Sequence, residues 1–399
     1  MKLVLAILVA ALAIGAEAGF ERKYTVCEHK DGGLHSFKEG RTGDDDVCGK
    51  RLATAYFHDE VNQTGWAFLE VDVISPKIPH YLQGYATGFA EGRATRDLID
   101  LHIMNTVTGY CDGAKHFCDE LAEFIEDNLK WMETEIKEHP EDEYWQQVNL
   151  TVNQLFGLIH GYENTLGAQI NYREIAVHPI FMIQLAGDLE DLAMKFKKPE
   201  NPKKVFSGPG HCSALVKLLP KNEDILFSHV TWTSYASITS TDDFILTSAK
   251  LAILETTIGN YNEKSLDLIT PNTDPLSKCD CNPPYSAENA IACRSDLNPI
   301  NGTYPFKSLG FRDHGAIDVK VTNSRLVNTL QFTAVSGPPG GVNKDVPIFD
   351  WRTTPLREKV PHYGQPDKWN FAPVTYKWRK TYTPSRIDRL KELLFQESY

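Results

Sequence analysis

Apolar residues recur at helical spacing through the middle of the chain. They lie three or four residues apart over 117–136, until Pro140 interrupts the pattern, and again over 145–159. This spacing places the apolar side chains on one face of a helix, so it predicts two amphipathic helices that pack against a core. A third helix is predicted to begin near Phe181 and to run toward Lys198.

The sequence before and after these helices is typical of β-strands. Residues 19–75 are rich in turn signals and β-forming residues, and 197–210 is crowded with Lys, Pro, Asn and Gly, which predicts an exposed loop. The chain from Pro271 onward is predicted to be rich in loops, and a short amphipathic helix is expected in the tail near 387–394. Successive strands are predicted directly after the exposed loop, at 213–219, 224–232, 244–248 and 251–258.

The first residues predict entry into the secretory pathway. One Lys, an apolar run and Ala16-Glu17-Ala18 form the pattern of a signal peptide over 1–18. The alternative is a membrane anchor, but the apolar run is short, and no second apolar stretch of about 20 residues follows. We therefore expect a lysosomal or extracellular protein with no transmembrane segment. Its expected parts are a helical part over 19–211, a sheet part over 212–378 and a tail over 379–399.

Composition narrows the class of protein. The chain has 399 residues, 42% of them hydrophobic, which is enough to build a large globular core. Its 41 basic and 53 acidic side chains give a net charge of −12. This acidic balance argues against nucleic acid as a partner, because nucleic-acid binding requires a basic surface.

The cysteines and glycosylation signals fit an oxidising compartment. Proximity along the chain favours the disulfides Cys27–Cys48 and Cys111–Cys118. One more bridge is expected among the close group Cys279, Cys281 and Cys293. This group lacks a His at ligand spacing, so a zinc site is disfavoured, and no metal or cofactor is expected. Three Asn-x-Ser/Thr sequons predict N-glycans at Asn62, Asn149 and Asn301.

Cys212 is the residue with the clearest chemical potential. It follows the exposed loop, begins a predicted strand and has no neighbouring cysteine. Cleavage between His211 and Cys212 would give the thiol its own α-amine as a base, with a pKa near ~8. The alternative is a structural half-cystine paired with Cys293 or another member of the late group. The chain has no G-x-S-x-G, H-E-x-x-H or P-loop pattern, so serine hydrolases with that elbow, zincins and P-loop NTPases are unsupported.

Many ordered blocks resemble the phospholipase B-like proteins, which are lysosomal or secreted N-terminal-nucleophile hydrolases. The likeness covers nearly all of the chain from about residue 24 to Trp378 and is greatest to the phospholipase B-like 2 branch. It implies an α+β fold, a four-layer αββα sandwich of two stacked sheets covered by helices. The blocks that carry it lie at 65–66, 83–92, 161–162, 210–220, 228–235, 242–244, 254–260, 288–291, 294–299, 314–320 and 364–367.

The resemblance also implies a site and a reaction. Cys212 corresponds to the nucleophile, and the bond between His211 and Cys212 is the processing site. His229, Asp243 and Thr257 occupy matching positions that would line the pocket: His229 and Asp243 would orient the amine or assist processing, and Thr257 would bind the ester. Each of the three could equally be a structural residue. The implied activity is removal of fatty acyl groups from glycerophospholipids through a Cys acyl-enzyme, with amides as an alternative substrate.

Other residues are expected to support the site. Trp232 is expected to pack beneath it, and Arg294 with Asp296 resembles an ion pair that fixes a loop. The chain departs from the family by lacking segments after Ile238 and near Pro271. These departures favour, as the alternative function, an inactive glycoprotein that keeps the scaffold.

Overall fold

Helices and antiparallel sheets together make this an α+β protein. The computed structural model describes residues 20–39, 48–73, 78–199, 211–238, 293–302, 310–329, 331–341 and 346–377. These residues form two compact units. The first unit contains the described residues up to 199 together with 358–367, and the second contains 211–238, the described residues of 293–357, and 368–377.

The first unit begins with a four-stranded antiparallel sheet in the order β2-β1-β3-β4. Its strands confirm the prediction for 19–75, and the helix α1 (Val61–Thr64) connects the last two. Val26 and Phe57 are almost completely buried in the core formed with the helices of this unit. The strands are β1 (Phe20–His29), β2 (Leu34–Lys38), β3 (Cys48–Glu60) and β4 (Trp66–Val73).

Helix α2 (His80–His102) is buried along most of its length and continues into a π-helical turn at Ile103–Val107. It packs against the sheet and against α4 (Glu143–Glu163). The contact with α4 is close: a Cβ added to Gly88 would lie 1.9 Å from the carbonyl oxygen of Gln154. Glycine is therefore required where the two backbones meet.

Helix α3 (Lys115–Glu138) and α4 confirm the two helices predicted from the apolar spacing. The third predicted helix is wrong in its length. The structure has α5 (Tyr172–Ala176), α6 (Pro179–Gln184) and α7 (Leu189–Lys195) instead. A turn separates the last two, in which the backbone N–H of Asp188 donates to Leu185, 2.8 Å away. Gly187 lies in this turn, and glycine disfavours a continuous helix.

The second unit contains a five-stranded antiparallel sheet in the order β11-β8-β7-β6-β5 and a two-stranded sheet of β9 and β10. The first two strands match the predictions for 213–219 and 224–232. The later predicted strands and the tail helix lie outside the described residues. The strands are β5 (His211–Leu218), β6 (Ile225–Ser234), β7 (His314–Asn323), β8 (Gln331–Ser336), β9 (Phe349–Asp350), β10 (Lys368–Trp369) and β11 (Val374–Lys377).

Among the loops expected after Pro271, the structure has the strands β7 and β8 and the helix α8 (Ser324–Asn328), which were not predicted individually. β7 is buried on both faces, so it lacks the simple alternation of a half-exposed strand. The polar residues Asp318 and Lys320 further obscure its apolar pattern.

A buried arginine connects three segments of the second unit. Arg294 forms two hydrogen bonds to the carboxylate of Asp296, each 2.8 Å long, as expected for an ion pair that fixes a loop. Its Nη1 also donates to the carbonyl oxygens of Pro339 and Pro347 at 2.6 and 2.9 Å. The hydroxyl of Tyr235 donates to Asp296 at 2.6 Å, so both buried charges are paired and hydrogen-bonded.

The structure contains the two disulfides that proximity favours, Cys27–Cys48 and Cys111–Cys118. Cys293 carries a thiol, and burial raises its pKa. The structure therefore gives Cys293 no bridge, while Cys279 and Cys281 lie outside the described residues. Within the described ranges, no helix is long and apolar enough to span a bilayer. The expected signal peptide, residues 1–18, also lies outside them.

Candidate active site

Cys212 is the second residue of the edge strand β5, and its side chain is exposed. It pairs with Thr231 on the neighbouring strand β6. Residues directly opposite one another in an antiparallel sheet share a face, with Cβ atoms about 4.5–5.5 Å apart. Neither of the two disulfides includes Cys212. The edge position thus leaves this sulfur accessible from solvent.

His229 lies on the same face of the sheet as Cys212. It is two residues before Thr231 and pairs with Ala214, which is two residues after Cys212. Its side chain is half-buried. Such diagonal neighbours lie about 7–8 Å apart, within reach of a long side chain. The structure therefore brings Cys212 and His229 together on one surface.

Trp232 lies on the opposite face of β6. It pairs with His211, whereas Thr231 pairs with Cys212, and successive residues of a strand alternate between faces. Trp232 is half-buried. Its ring thus lies beneath the sheet as seen from Cys212, as expected.

A buried ion pair lies on the same face, on the strand β7 that follows β6 in the sheet. Asp318 of β7 pairs with Thr231, and Lys320 follows two residues later. Nζ of Lys320 donates to Asp318 at 3.0 Å and to Oγ1 of Thr231 at 3.2 Å. The backbone N–H of Thr231 donates to the carboxylate of Asp318 at 3.2 Å. A lysine charge is therefore fixed beside the residue that pairs with Cys212.

This ion pair is almost inaccessible to water. Asp318 is 3% exposed and Lys320 is 8% exposed. Charges at such depth are retained only when they are paired and hydrogen-bonded, as these are. Because screening by solvent is weak there, the lysine favours a negative charge on nearby groups.

The sequence analysis did not identify Thr231, Asp318 and Lys320 as functional. A signal was present in β7, where Asp318 and Lys320 alternate with Val319 and Val321. This spacing places both charges on one face of a largely buried strand. Only the register with β6 shows that this is the face on which Cys212 lies.

Two residues implied by the resemblance, Asp243 and Thr257, lie outside the described residues. The backbone of His211 belongs to β5, so the predicted cleavage bond is at the start of this strand. Within the described part of the chain, no cluster of three or more His, Cys, Asp or Glu side chains could hold a metal ion.

The three sequons differ in accessibility. Asn62 on α1 and Asn301 are exposed, whereas Asn149 is half-buried within α4. Nδ2 of Asn153 donates to Oδ1 of Asn149 at 2.7 Å. A glycan could reach the first two sites without rearrangement, whereas Asn149 is less accessible.

Comparison with known proteins identifies the family. The family model described as "Phospholipase B" matches residues 53–239 and 272–376. The chain is 59% identical over 552 positions to "Putative phospholipase B-like 1" of Caenorhabditis elegans, covering 95% of this chain and 97% of the relative. It is 29% identical over 512 positions to "Putative phospholipase B-like 2" of Homo sapiens, covering 82% and 86%.

The identity to this phospholipase B-like 1 protein exceeds that to the human phospholipase B-like 2 protein. The alignment with the C. elegans protein also confirms that the chain is shortened internally. It spans 552 positions, whereas this chain has 399 residues, so at least 153 positions of the alignment contain no residue of this chain. The family model covers more than half of the sequence and, together with the 59% identity, shows that the chain belongs to the phospholipase B family.

Proposed function

We propose that this chain is a carboxylic ester hydrolase that is cleaved before Cys212 and then removes fatty acyl groups from glycerophospholipids. The observation that carries the proposal is the placement of Cys212 on an accessible sheet face, which it shares with His229 of β6 and with the fixed charge of Lys320 on β7. Membership of the phospholipase B family supports the substrate class. The family resemblance further supports a four-layer αββα sandwich, in which the five-stranded sheet that contains β5 would be one of the two sheet layers.

The first step is hydrolysis of the peptide bond between His211 and Cys212. Water adds across this bond, so that His211 gains a carboxylate and Cys212 gains an α-amine. The described residues of the second unit begin at 211, one residue before Cys212, which supports a cut at this place. The helical part over 19–211 would be a prosegment or the first chain after processing, and the sheet part over 212–378 would carry Cys212.

The second step is acyl transfer to sulfur. The neutral α-amine accepts the thiol proton, and the sulfur attacks the ester carbonyl carbon. The resulting oxyanion collapses to a thioester, and the glycerol oxygen leaves with the proton held by the amine. Water then attacks the thioester, its proton passes through the amine to the sulfur, and the fatty acid is released. Donors to the oxyanion would stabilise both tetrahedral states.

The described residues have distinct proposed roles in this scheme. The ammonium of Lys320 stabilises the thiolate electrostatically and is itself held by Asp318. His229 orients the new amine or assists processing. Asp243 and Thr257 keep the roles implied by the family, orientation of the amine and binding of the ester. We also propose that the protein is N-glycosylated and acts in the lysosome or outside the cell.

A second candidate is a glycoprotein without catalytic activity. It is favoured by the 153 or more positions of the C. elegans relative that have no counterpart in this chain. The apolar side chains of β5 are also unusually accessible: Leu215, Val216 and Leu218 are 44%, 58% and 59% exposed. Both observations are expected if neighbouring parts of the site have been lost. An amidase of the same mechanism is a third candidate, because a thiolate attacks esters and amides alike.

The test uses the full chain secreted from a eukaryotic host. Wild type and Cys212→Ala are incubated at acidic pH and analysed by denaturing electrophoresis, intact mass and amino-terminal sequencing. Fatty acid release is measured from phosphatidylcholine vesicles and, in parallel, from an N-acyl amide. We expect a wild-type fragment that begins at Cys212 and thiol-dependent acyl release, both absent from the variant.

Cys293→Ala is the matched control, because it removes another thiol of the same unit. It is expected to leave processing intact. A wild type that stays uncut and releases no acyl group supports the inactive glycoprotein and contradicts the enzyme. Detection of Cys212 in a disulfide would likewise contradict the enzyme and support the inactive glycoprotein. Release from the amide but not from the phospholipid would favour the amidase.

A further inference from the structure

A cationic cavity lies in the first unit, whereas Cys212 belongs to the second unit. Its volume is about 350 Å³. The argument for this cavity is independent of the function proposed above. Six described residues line it: Arg22, Tyr24, Lys38, Arg93, Arg96 and Asp97.

The sheet and one helix each contribute half of the lining. Arg22 and Tyr24 are two residues apart in β1, and Lys38 of β2 pairs with Tyr24, so these three side chains share a face. The other three residues lie on α2 at spacings of three and four, which places them on one side of the helix. The cavity is therefore built where one sheet face meets one helix face.

Arg22 joins the two faces. Its guanidinium forms an ion pair with Asp97, with 2.5 Å between Nη2 and Oδ2, and donates to the carbonyl oxygen of Ala94 at 3.3 Å. The side chain of Arg22 is only 18% exposed. This connection fixes the width of the cavity and the position of one of its charges.

Two further arginines are held in place by aromatic rings. The guanidinium carbon of Arg93 lies 5.4 Å from the centre of the Tyr24 ring, and that of Arg96 lies 5.6 Å from the centre of the Tyr162 ring. In such a contact the aromatic ring attracts the cation electrostatically, and the guanidinium N–H groups can still donate to hydrogen-bond acceptors. Side chains that are already ordered lose less conformational entropy when a ligand binds.

The charge of the lining is opposite to that of the whole protein. Four cationic side chains face the cavity, and Asp97 is the single carboxylate among its described lining residues. Their formal sum is +3, in a chain with a net charge of −12. Like charges at such proximity repel one another, so an anion with several oxygen atoms would stabilise the cluster.

We propose that this cavity binds a phosphate group. Arginine N–H groups form paired hydrogen bonds with phosphate oxygens, and three arginines line this cavity. The cavity volume leaves room for more than the phosphate itself, so a phosphate ester fits as well as the inorganic ion. Two sources share this chemistry, a soluble phosphorylated compound and the headgroup of an anionic phospholipid.

The experiment measures binding by the secreted full chain at constant ionic strength, with chloride as the reference anion. The probes are inorganic phosphate and glycerol 3-phosphate by calorimetry, and phosphatidylcholine vesicles with and without phosphatidylglycerol by sedimentation. We expect saturable binding in at least one arm. The double variant Arg93→Gln/Arg96→Gln should weaken it by about tenfold or more, since each loses charge-assisted hydrogen bonds.

Lys115→Gln/Lys137→Gln is the matched control, because it removes two exposed positive charges from α3, outside the cavity lining. It should leave binding unchanged. Arg96→Gln, at an exposed position, keeps the test valid if the double variant unfolds.

Binding of soluble phosphates but not of vesicles identifies a soluble source, and binding of vesicles that depends on phosphatidylglycerol identifies a lipid source. No binding in any arm, or equal loss in the control variant, would overturn the proposal.

Discussion

The carboxyl group of Glu91 is buried on α2, where it accepts a hydrogen bond from Gln154 of α4. Burial raises its pKa from 4.5 to about 8. Between these two values the folded chain keeps a proton that the unfolded chain has released. The stabilising contribution of Glu91 is therefore fully present below about pH 4.5 and is lost as the pH rises toward 8.

Glu91→Gln should remove this dependence, because the amide stays neutral at every pH. We expect the variant to match wild type near pH 4.5 and to exceed it at pH 8 by roughly 2–4 kcal/mol in free energy of unfolding. Urea denaturation across this range measures the difference. Glu123→Gln, at an exposed position on α3, is the control and should leave the pH dependence of the free energy of unfolding unchanged. Parallel curves for wild type and Glu91→Gln would contradict the prediction.

Lys320 allows a second test at the scale of one residue. Lys320→Met removes the cation beside Thr231, so we expect iodoacetamide to react with Cys212 about tenfold more slowly near neutral pH. Alkylation is followed by mass spectrometry. Combining Lys320→Met with Asp318→Asn avoids leaving a buried carboxylate unpaired. Lys217→Met, at an exposed position on β5, should change the rate little, and an equally large effect there would argue against a local role for Lys320.

At the scale of elements, the contact between α2 and α4 depends on glycine. A Cβ at Gly88 would meet backbone atoms that cannot move independently of the helix. Gly88→Ala should therefore destabilise the chain by about 3 kcal/mol or prevent folding. Gly187→Ala is the control, because nothing lies within 4 Å of its added Cβ. Denaturant unfolding measures both, and similar stability of the two variants would show that the helices can separate without cost.

The same contact explains which elements could be predicted. α3 has one apolar face and a polar one, so the spacing of Leu121, Ile125 and Leu129 identified it. α2 is buried between the sheet and α4, and small residues such as Gly88 and Ala90 replace the apolar stripe. A helix shows a periodic apolar pattern in the sequence only when its other side is exposed and polar, and little of α2 is exposed.

Strands of the second unit show the same limit. β5 and β6 follow a clear break in composition and were predicted nearly to their ends. Cys212 was predicted as the nucleophile from that break, whereas the placement of Lys320 depended on the register between β6 and β7. Register is set by long-range pairing, which one sequence does not display. For this reason the sequence predicted Cys212 as a candidate but did not predict which residues of the neighbouring strands share its face.

At the scale of the whole molecule, the absent positions bear on catalytic rate. If they supplied an oxyanion donor, this chain should turn over phospholipid about 10²–10³ times more slowly than the C. elegans relative. Both proteins are assayed together, with rates expressed per processed cysteine as titrated by a thiol reagent. Equal rates per cysteine would show that the described sheet and its neighbours suffice.

The pairing of β5 with β6 has a consequence for the proposed cleavage between His211 and Cys212. Cys212 and the residues after it already belong to a hydrogen-bonded ladder. Ordering one residue of a flexible chain costs about 1–2 kcal/mol, and here folding has met that cost before any bond is broken. A newly exposed amino terminus would therefore be anchored from the moment it forms, poised over its own sulfur rather than fraying into solvent.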